Sequence, residues 1–309
     1  MKPIFSYLHQ YAKALNKPVF LLTSLLVAIC IYINYSIGIE PRLTNHFSFL
    51  QRLLGFFLLY FTIFCVGYWI HFAITKNYFP QGYQLPLLLF ICPLIFALKI
   101  SIHSFDYAFL DHLELQWKKY WTILLDWPLK ALCILIAIIV IWKCFRYKNA
   151  VAGMTLKNFN PTPYFILLVF MIPLLIIAAT QPDFLITYPK LKNIEFIGRY
   201  TTTTWRYYLL YELSYGTDFF SIEIFFRGFL VLAFVRFAGK DAILPMAAFY
   251  CSIHFGKPLF ECISSYFGGI VLGVIVYRTQ TIWGGLITHL GIAWLMEVAG
   301  YLGGRFSDS

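Results

Sequence analysis

Long apolar runs constrain this chain more than any other feature. A helix crosses a bilayer's hydrocarbon core with about 20 largely apolar residues, and such runs recur from end to end. They predict spans at 18–38, 53–75, 85–101, 121–142, 164–180, 207–236, 242–256, 262–278 and 281–303. The seventh and eighth are short and interrupted by Pro245, Pro258 and Gly268-Gly269. Eight spans are therefore expected if one of these is broken, and nine otherwise. With 60% of its residues hydrophobic and only 12% charged, the chain could not assemble a water-soluble surface.

The first run, Val19 to Ile37, follows Lys2, Lys13 and Lys17 as a secretory signal would. A signal's apolar region is about 7–15 residues and ends at a small-residue cleavage site. This one is longer and ends at Tyr35-Ser36-Ile37-Gly38, so it reads as a retained membrane helix. The basic loop with Lys143, Arg146, Lys148 and Lys157 predicts a cytoplasmic side shared with the N-terminus, and Asp106, Asp111 and Glu114 fall outside. Lys118, Lys119, Lys190, Lys192 and Arg199 fall on that outer side against the rule. The expected location is the cell membrane, multi-pass. The net charge of +10 is scattered between apolar runs, which speaks against nucleic acid as a partner. Seven cysteines, Cys30, Cys65, Cys92, Cys133, Cys144, Cys251 and Cys262, form no C-x-x-C pair and read as small hydrophobes.

Polarity divides the chain. In the first five spans the ionisable groups, His71, Lys99, Asp126 and Lys130, sit mostly near span ends, where long side chains can snorkel. From about residue 199 onward, Glu212, Asp218, Glu223, Arg227, His254, Glu261, His289 and Glu297 lie in or beside spans. Each charge at bilayer depth costs roughly 2.5–3.5 kcal/mol on insertion scales, so a group of them must face one another or water. The fold class expected is all-α: a polytopic membrane helix bundle with a central polar cavity. Residues 1–160 carry no motif, and residues 161–309 hold the chemistry.

Glu223 and Arg227 stand at i and i+4, with Glu N-terminal, the better orientation for a pair on one helix face. At ~100° per residue, Glu212 falls within about 20° of Glu223 if the helix is unbroken at Gly216, so the three charges would line one seam. Glu297 points about 80° away from His289 on the last span. Considered alone, a Glu–Arg pair of this kind is more often a buried salt bridge than a catalytic group, and His254, just before Gly256-Lys257-Pro258, is as often a packing residue as a ligand. Together the carboxylates, a guanidinium and two imidazoles suffice to activate water and hold an oxyanion. Two His and one Glu could also ligate zinc, but H-E-x-x-H is absent. No G-x-S-x-G occurs, and an apolar site tends to raise the pKa of Cys251.

The order of features, a Glu-x-x-x-Arg-Gly helix, a His at a helix end about 30 residues on, and a second His in a Gly-rich final helix, resembles the CAAX protease and bacteriocin-processing (CPBP) family of intramembrane endopeptidases. The likeness covers roughly residues 200–303 and is strongest at Glu223-Ile224-Phe225-Phe226-Arg227-Gly228-Phe229-Leu230, similar to the family's E-E-x-x-F-R-G. It implies a conical, water-accessible cavity, with a glutamate and the first histidine activating water and the second histidine and an asparagine holding the oxyanion. Carried over, the motif positions fall on Glu223, Arg227, His254 and His289, the expected catalytic set; Glu212 and Glu297, outside the motif, are expected as assisting carboxylates with Glu223 as base, and no cofactor or metal is expected. Three positions depart from the pattern: Ile222 replaces the leading glutamate, Tyr250 replaces the Phe of F-x-x-x-H, and Ala293 replaces the Asn of H-x-x-x-N. The function expected is peptide-bond hydrolysis in the membrane, on a peptide or protein substrate, plain or lipidated. The alternatives are a membrane scaffold or chaperone that binds a peptide or partner helix without cutting, and a proton-coupled transporter, which lacks the expected internal repeat.

Overall fold

The computed structural model describes residues 2–45, 47–76, 82–157 and 159–307; the Lys2 side chain, counted above among the basic residues, lies outside the described part. Among the described residues every regular element is helical. In chain order these are α1 (Lys2–Ala14), α2 (Lys17–Ile37), α3 (Ile39–Asn45), α4 (Phe49–Thr75), α5 (Gln84–Ser101), α6 (Leu115–Cys144), α7 (Thr162–Ala178), α8 (Pro182–Thr187), α9 (Thr204–Ile222), α10 (Val235–Ala238), α11 (Ile243–Ser252), α12 (Leu259–Thr279) and α13 (Trp283–Ser307). Single 3-10 segments occur at Val151–Gly153, Lys190–Arg199 and Gly239–Ala242, among others, and Glu223–Val231 is π-helical.

Local chemistry sets these boundaries. The Asn16 side chain accepts from Val19 N (3.2 Å) to cap α2, which ends where Gly38 takes φ +74°, a conformation glycine adopts without penalty. Ser48 and Gln51 form a capping box at the start of α4, satisfying N–H groups that have no partner inside the helix.

Six helices, α2, α4, α5, α6, α12 and α13, are long and apolar enough to cross a bilayer, and α7 is an apolar helix just below that length. The expected spans differ from the structure at two places. The run at 207–236 is not one helix: α9 stops at Ile222, a π-helical stretch follows, and α10 is a separate short turn. The run at 242–256 contains only the ten-residue α11, every residue of which is buried. At 1.5 Å per residue it is about 15 Å long, half a bilayer, so its apolarity reflects a protein environment on all sides.

The described chain gathers into two compact units that alternate along the sequence: Met1–Ile102, Ala137–Phe159 and Ile224–Trp283 in the first, and His103–Ile136, Asn160–Glu223 and Gly284–Ser309 in the second. In the first unit α11 packs against α2, α4 and α12, around Val27, Ile63, Ala247, Ala248, Cys251, Phe255, Cys262 and Tyr266. A methyl group at Gly269 would sit 3.1 Å from the Tyr250 ring, and one at Gly273 would sit 2.8 Å from Met246. The small-residue pair thus serves close approach of α12 to α11. In the second unit Tyr120, Leu124, Ile194, Ile197 and Tyr211 form an aromatic-rich core. There Asp126 of α6 accepts from Phe105 N and the Tyr107 hydroxyl, both at 3.1 Å. Burial, with that hydrogen bond, pushes the Tyr107 phenol above its ordinary range.

Candidate functional site

The second unit joins two of the expected site residues. Glu223 follows the last residue of α9 and is fully buried, with no solvent exposure. Its Oε1 lies 2.9 Å from Nδ1 of His289 on α13. A carboxylate in this role accepts, so Nδ1–H donates, and Nε2 becomes the nitrogen through which the ring can do chemistry. Phe219, one turn before Glu223 on α9, meets the His289 ring edge to face, with 4.9 Å between ring centres. A carboxylate and an aromatic ring therefore contact the imidazole. Across the fold Glu223 meets His289 as well, a partner that sequence spacing could not indicate because helix geometry ranks only neighbours within one helix.

The two assisting carboxylates also lie in the second unit. α9 runs unbroken through Gly216 and ends at Ile222, the residue before Glu223. Both Glu212 carboxylate oxygens are shut off from solvent and accept no hydrogen bond among the described residues. Glu297 is engaged otherwise: Oε1 accepts from Lys190 N (2.8 Å) and Oε2 from Leu191 N (3.1 Å). It caps the Lys190–Arg199 3-10 segment, whose first N–H groups have no internal partner.

The first unit holds Arg227, Tyr250 and His254. The Arg227 guanidinium is fully buried and lies 3.7 Å above the centre of the Tyr250 ring, within cation–π range. Tyr250 also meets Phe226 (5.2 Å) and His254 (4.6 Å) edge to face. A Tyr at the motif's Phe position thus retains the aromatic surface that the arginine stacks on. His254 follows α11 in a turn, and its Nδ1 lies 3.0 Å from the Tyr250 carbonyl oxygen. A carbonyl can only accept, so Nδ1 carries the proton and Nε2 is again the working nitrogen. Gly228 has its own reason: a Cβ there would collide with the Ala152 carbonyl oxygen and press on Ile282. The Arg-Gly pair sets a cation on a ring and a bare backbone on a neighbouring turn.

The division between units falls between Glu223 and Ile224, inside the motif, at the start of the π-helical stretch. Such insertions in helices recur at functional sites. The remaining polar candidates have local partners. Asp218 receives the Ser221 hydroxyl on its main-chain oxygen (2.7 Å), and Glu261 lies 3.8 Å from Lys257. Cys251 is a free, buried thiol beside Cys262, at 3.9 Å between sulfurs. Ile222 is half-buried and Ala293 buried. Among the described residues no three His, Cys, Asp or Glu side chains are grouped as a metal ion would need. Sequence reasoning missed Phe219, whose signal was its position one turn before Glu223 on α9.

Residues 204–295 match the family model described as Type II CAAX prenyl endopeptidase Rce1-like. The matched segment contains Glu223, Arg227, Tyr250, His254 and His289. Comparison with curated proteins and with solved structures returned no match.

Proposed function

We propose that this chain, whose residues 204–295 match the type II CAAX prenyl endopeptidase Rce1-like model and six of whose helices are long and apolar enough to cross a membrane, is an intramembrane endopeptidase of CPBP type. The observation that carries the proposal is the buried Glu223–His289 hydrogen bond of 2.9 Å. A carboxylate taken fully out of water is costly unless it is paired and hydrogen-bonded. Here it is held against an imidazole, the arrangement that orients a base.

In this reading Glu223 sets the tautomer of His289 through Nδ1–H, as the Tyr250 carbonyl does for His254. Each ring then offers Nε2. One imidazole takes the proton from the attacking water, and the resulting hydroxide adds to the scissile carbonyl carbon. Collapse of the tetrahedral intermediate breaks the C–N bond as that imidazolium returns its proton to the leaving amine. Arg227, stacked on Tyr250, supplies a fixed positive charge to the motif. The substrate is a peptide or protein, plain or lipidated, and the site of action the cell membrane.

Ile222 and Ala293 favour a second reading, a scaffold that binds a peptide or partner helix without hydrolysis. Detergent-purified protein offered quenched peptides, prenylated and plain, separates the two. The endopeptidase reading expects cleavage by the wild type, loss in Glu223→Gln and His254→Ala, and no effect of a zinc chelator. Cleavage that survives both substitutions would overturn the residue assignment, and chelator sensitivity would bring in a metal.

A further inference from the structure

We propose that Asn34 and Tyr35 of α2 are positioning residues for His254, clamping the turn that carries it so that its Nε2 keeps one direction; this rests on the hydrolytic reading above. His254 lies beyond the last residue of α11, in a turn whose main-chain bonds are local: His254 N donates to the Cys251 carbonyl oxygen and Lys257 N to the His254 carbonyl oxygen, both at 3.0 Å. Its ring is tied back to Tyr250, but the orientation of the ring is only as firm as the turn beneath it.

That turn is fastened by a helix more than 200 positions away in sequence. Asn34 Nδ2 donates to the Phe255 carbonyl oxygen at 2.9 Å, and the Tyr35 hydroxyl donates to the Lys257 carbonyl oxygen at 2.5 Å. The residues that receive these bonds flank His254 on its C-terminal side. Phe255 itself is packed into the apolar core that Val27 of α2 shares with α4, α11 and α12.

The pattern on α2 indicates that the contact is specific. Its buried residues are Val19, Thr23, Val27 and Asn34, one stripe at helical spacing that ends in an amide. An amide in a membrane-spanning helix is tolerated when its polar atoms are satisfied. Asn34 uses both ends, because its Oδ1 accepts from Glu40 N at 3.0 Å while Nδ2 serves the turn. A residue that only started α3 would need the oxygen alone. The nitrogen is what reaches the histidine turn.

Asn34→Asp tests this, since it keeps shape and the acceptor for Glu40 N but replaces the donor facing Phe255. A small displacement of a catalytic group costs about tenfold to a hundredfold in rate. The expected result is a loss of that size in kcat with KM within about twofold of wild type. Alongside it, ¹⁵N-histidine NMR, with the His254 signal assigned by its absence in His254→Ala, should show the fixed Nδ1–H tautomer of the wild type giving way to an averaged signal. An unchanged His254 signal would overturn the proposal, whether cleavage is kept or lost. If the wild type cleaves no peptide, the hydrolytic reading falls, and the His254 signal in Asn34→Asp still decides positioning. If Asn34→Asp does not fold, Tyr35→Phe removes one of the two clamps and is read in the same two ways.

Discussion

Glu223 Oε1 and His289 Nδ1 stand 2.9 Å apart although 66 positions separate them in sequence. This bond ties the end of α9 to α13 and places a fully buried carboxylate on an imidazole. Under the proposed function this pairing lets Glu223 orient His289 despite Ile222 at the preceding position, because a single carboxylate suffices for one histidine.

Gly228→Ala should destabilise the protein. The added Cβ meets the Ala152 carbonyl oxygen and Ile282, backbone and core atoms that cannot turn aside. Overpacking of this kind costs about 1–3 kcal/mol. A lowered unfolding temperature in detergent is the expected reading, and an unchanged one would mean that the 151–153 turn yields freely.

The Arg227–Tyr250 stack should depend on the ring and on the guanidinium. Tyr250→Phe keeps the face under the cation and should be the milder change, while Tyr250→Leu should lose about 0.5–2 kcal/mol of cation–π attraction. Arg227→Lys should be worse than its conserved charge suggests, because an ammonium is more strongly hydrated and cannot stack as a plane. Thermal unfolding of the three variants in one detergent orders them.

Glu297 should prove structural. Glu297→Ala orphans the N–H groups of Lys190 and Leu191, at about 1–3 kcal/mol for each group left without a partner, and should open the 190–199 segment to trypsin. Peptide cleavage per folded molecule should stay near wild type. A loss of cleavage without increased proteolysis at Lys190 or Lys192 would return Glu297 to the set of assisting carboxylates.

What the sequence made legible follows from the range of its signals. Apolar length located α2, α4, α5, α6, α12 and α13, since crossing a bilayer leaves its mark residue by residue. The same signal misread 242–256, because a helix buried on all sides by protein is as apolar as one facing lipid. It also passed smoothly over Glu223–Val231, where the helix changes its hydrogen-bond register without a proline to announce it. Motif order brought out Glu223, Arg227, His254 and His289. Their partners were hidden for a simple reason: helical spacing reports neighbours three or four residues away, whereas His289 answers Glu223, Lys190 answers Glu297, and Asn34 answers Phe255 through the tertiary fold alone. The amphipathic helix α1, with Ile4 and Tyr11 turned inward, preceded the first apolar run and drew no expectation.

The central claim is that Glu223 and His289 act as one unit in hydrolysis, and a double-mutant cycle tests it most directly. Single-turnover cleavage of a peptide accepted by the wild type would be measured for Glu223→Gln, His289→Ala and the double variant. Each single substitution should cost about a hundredfold or more, and the double variant should be no slower than the slower single one, as expected of residues that work together. Losses that multiply in the double variant, or a Glu223→Gln enzyme as fast as wild type, would contradict the account.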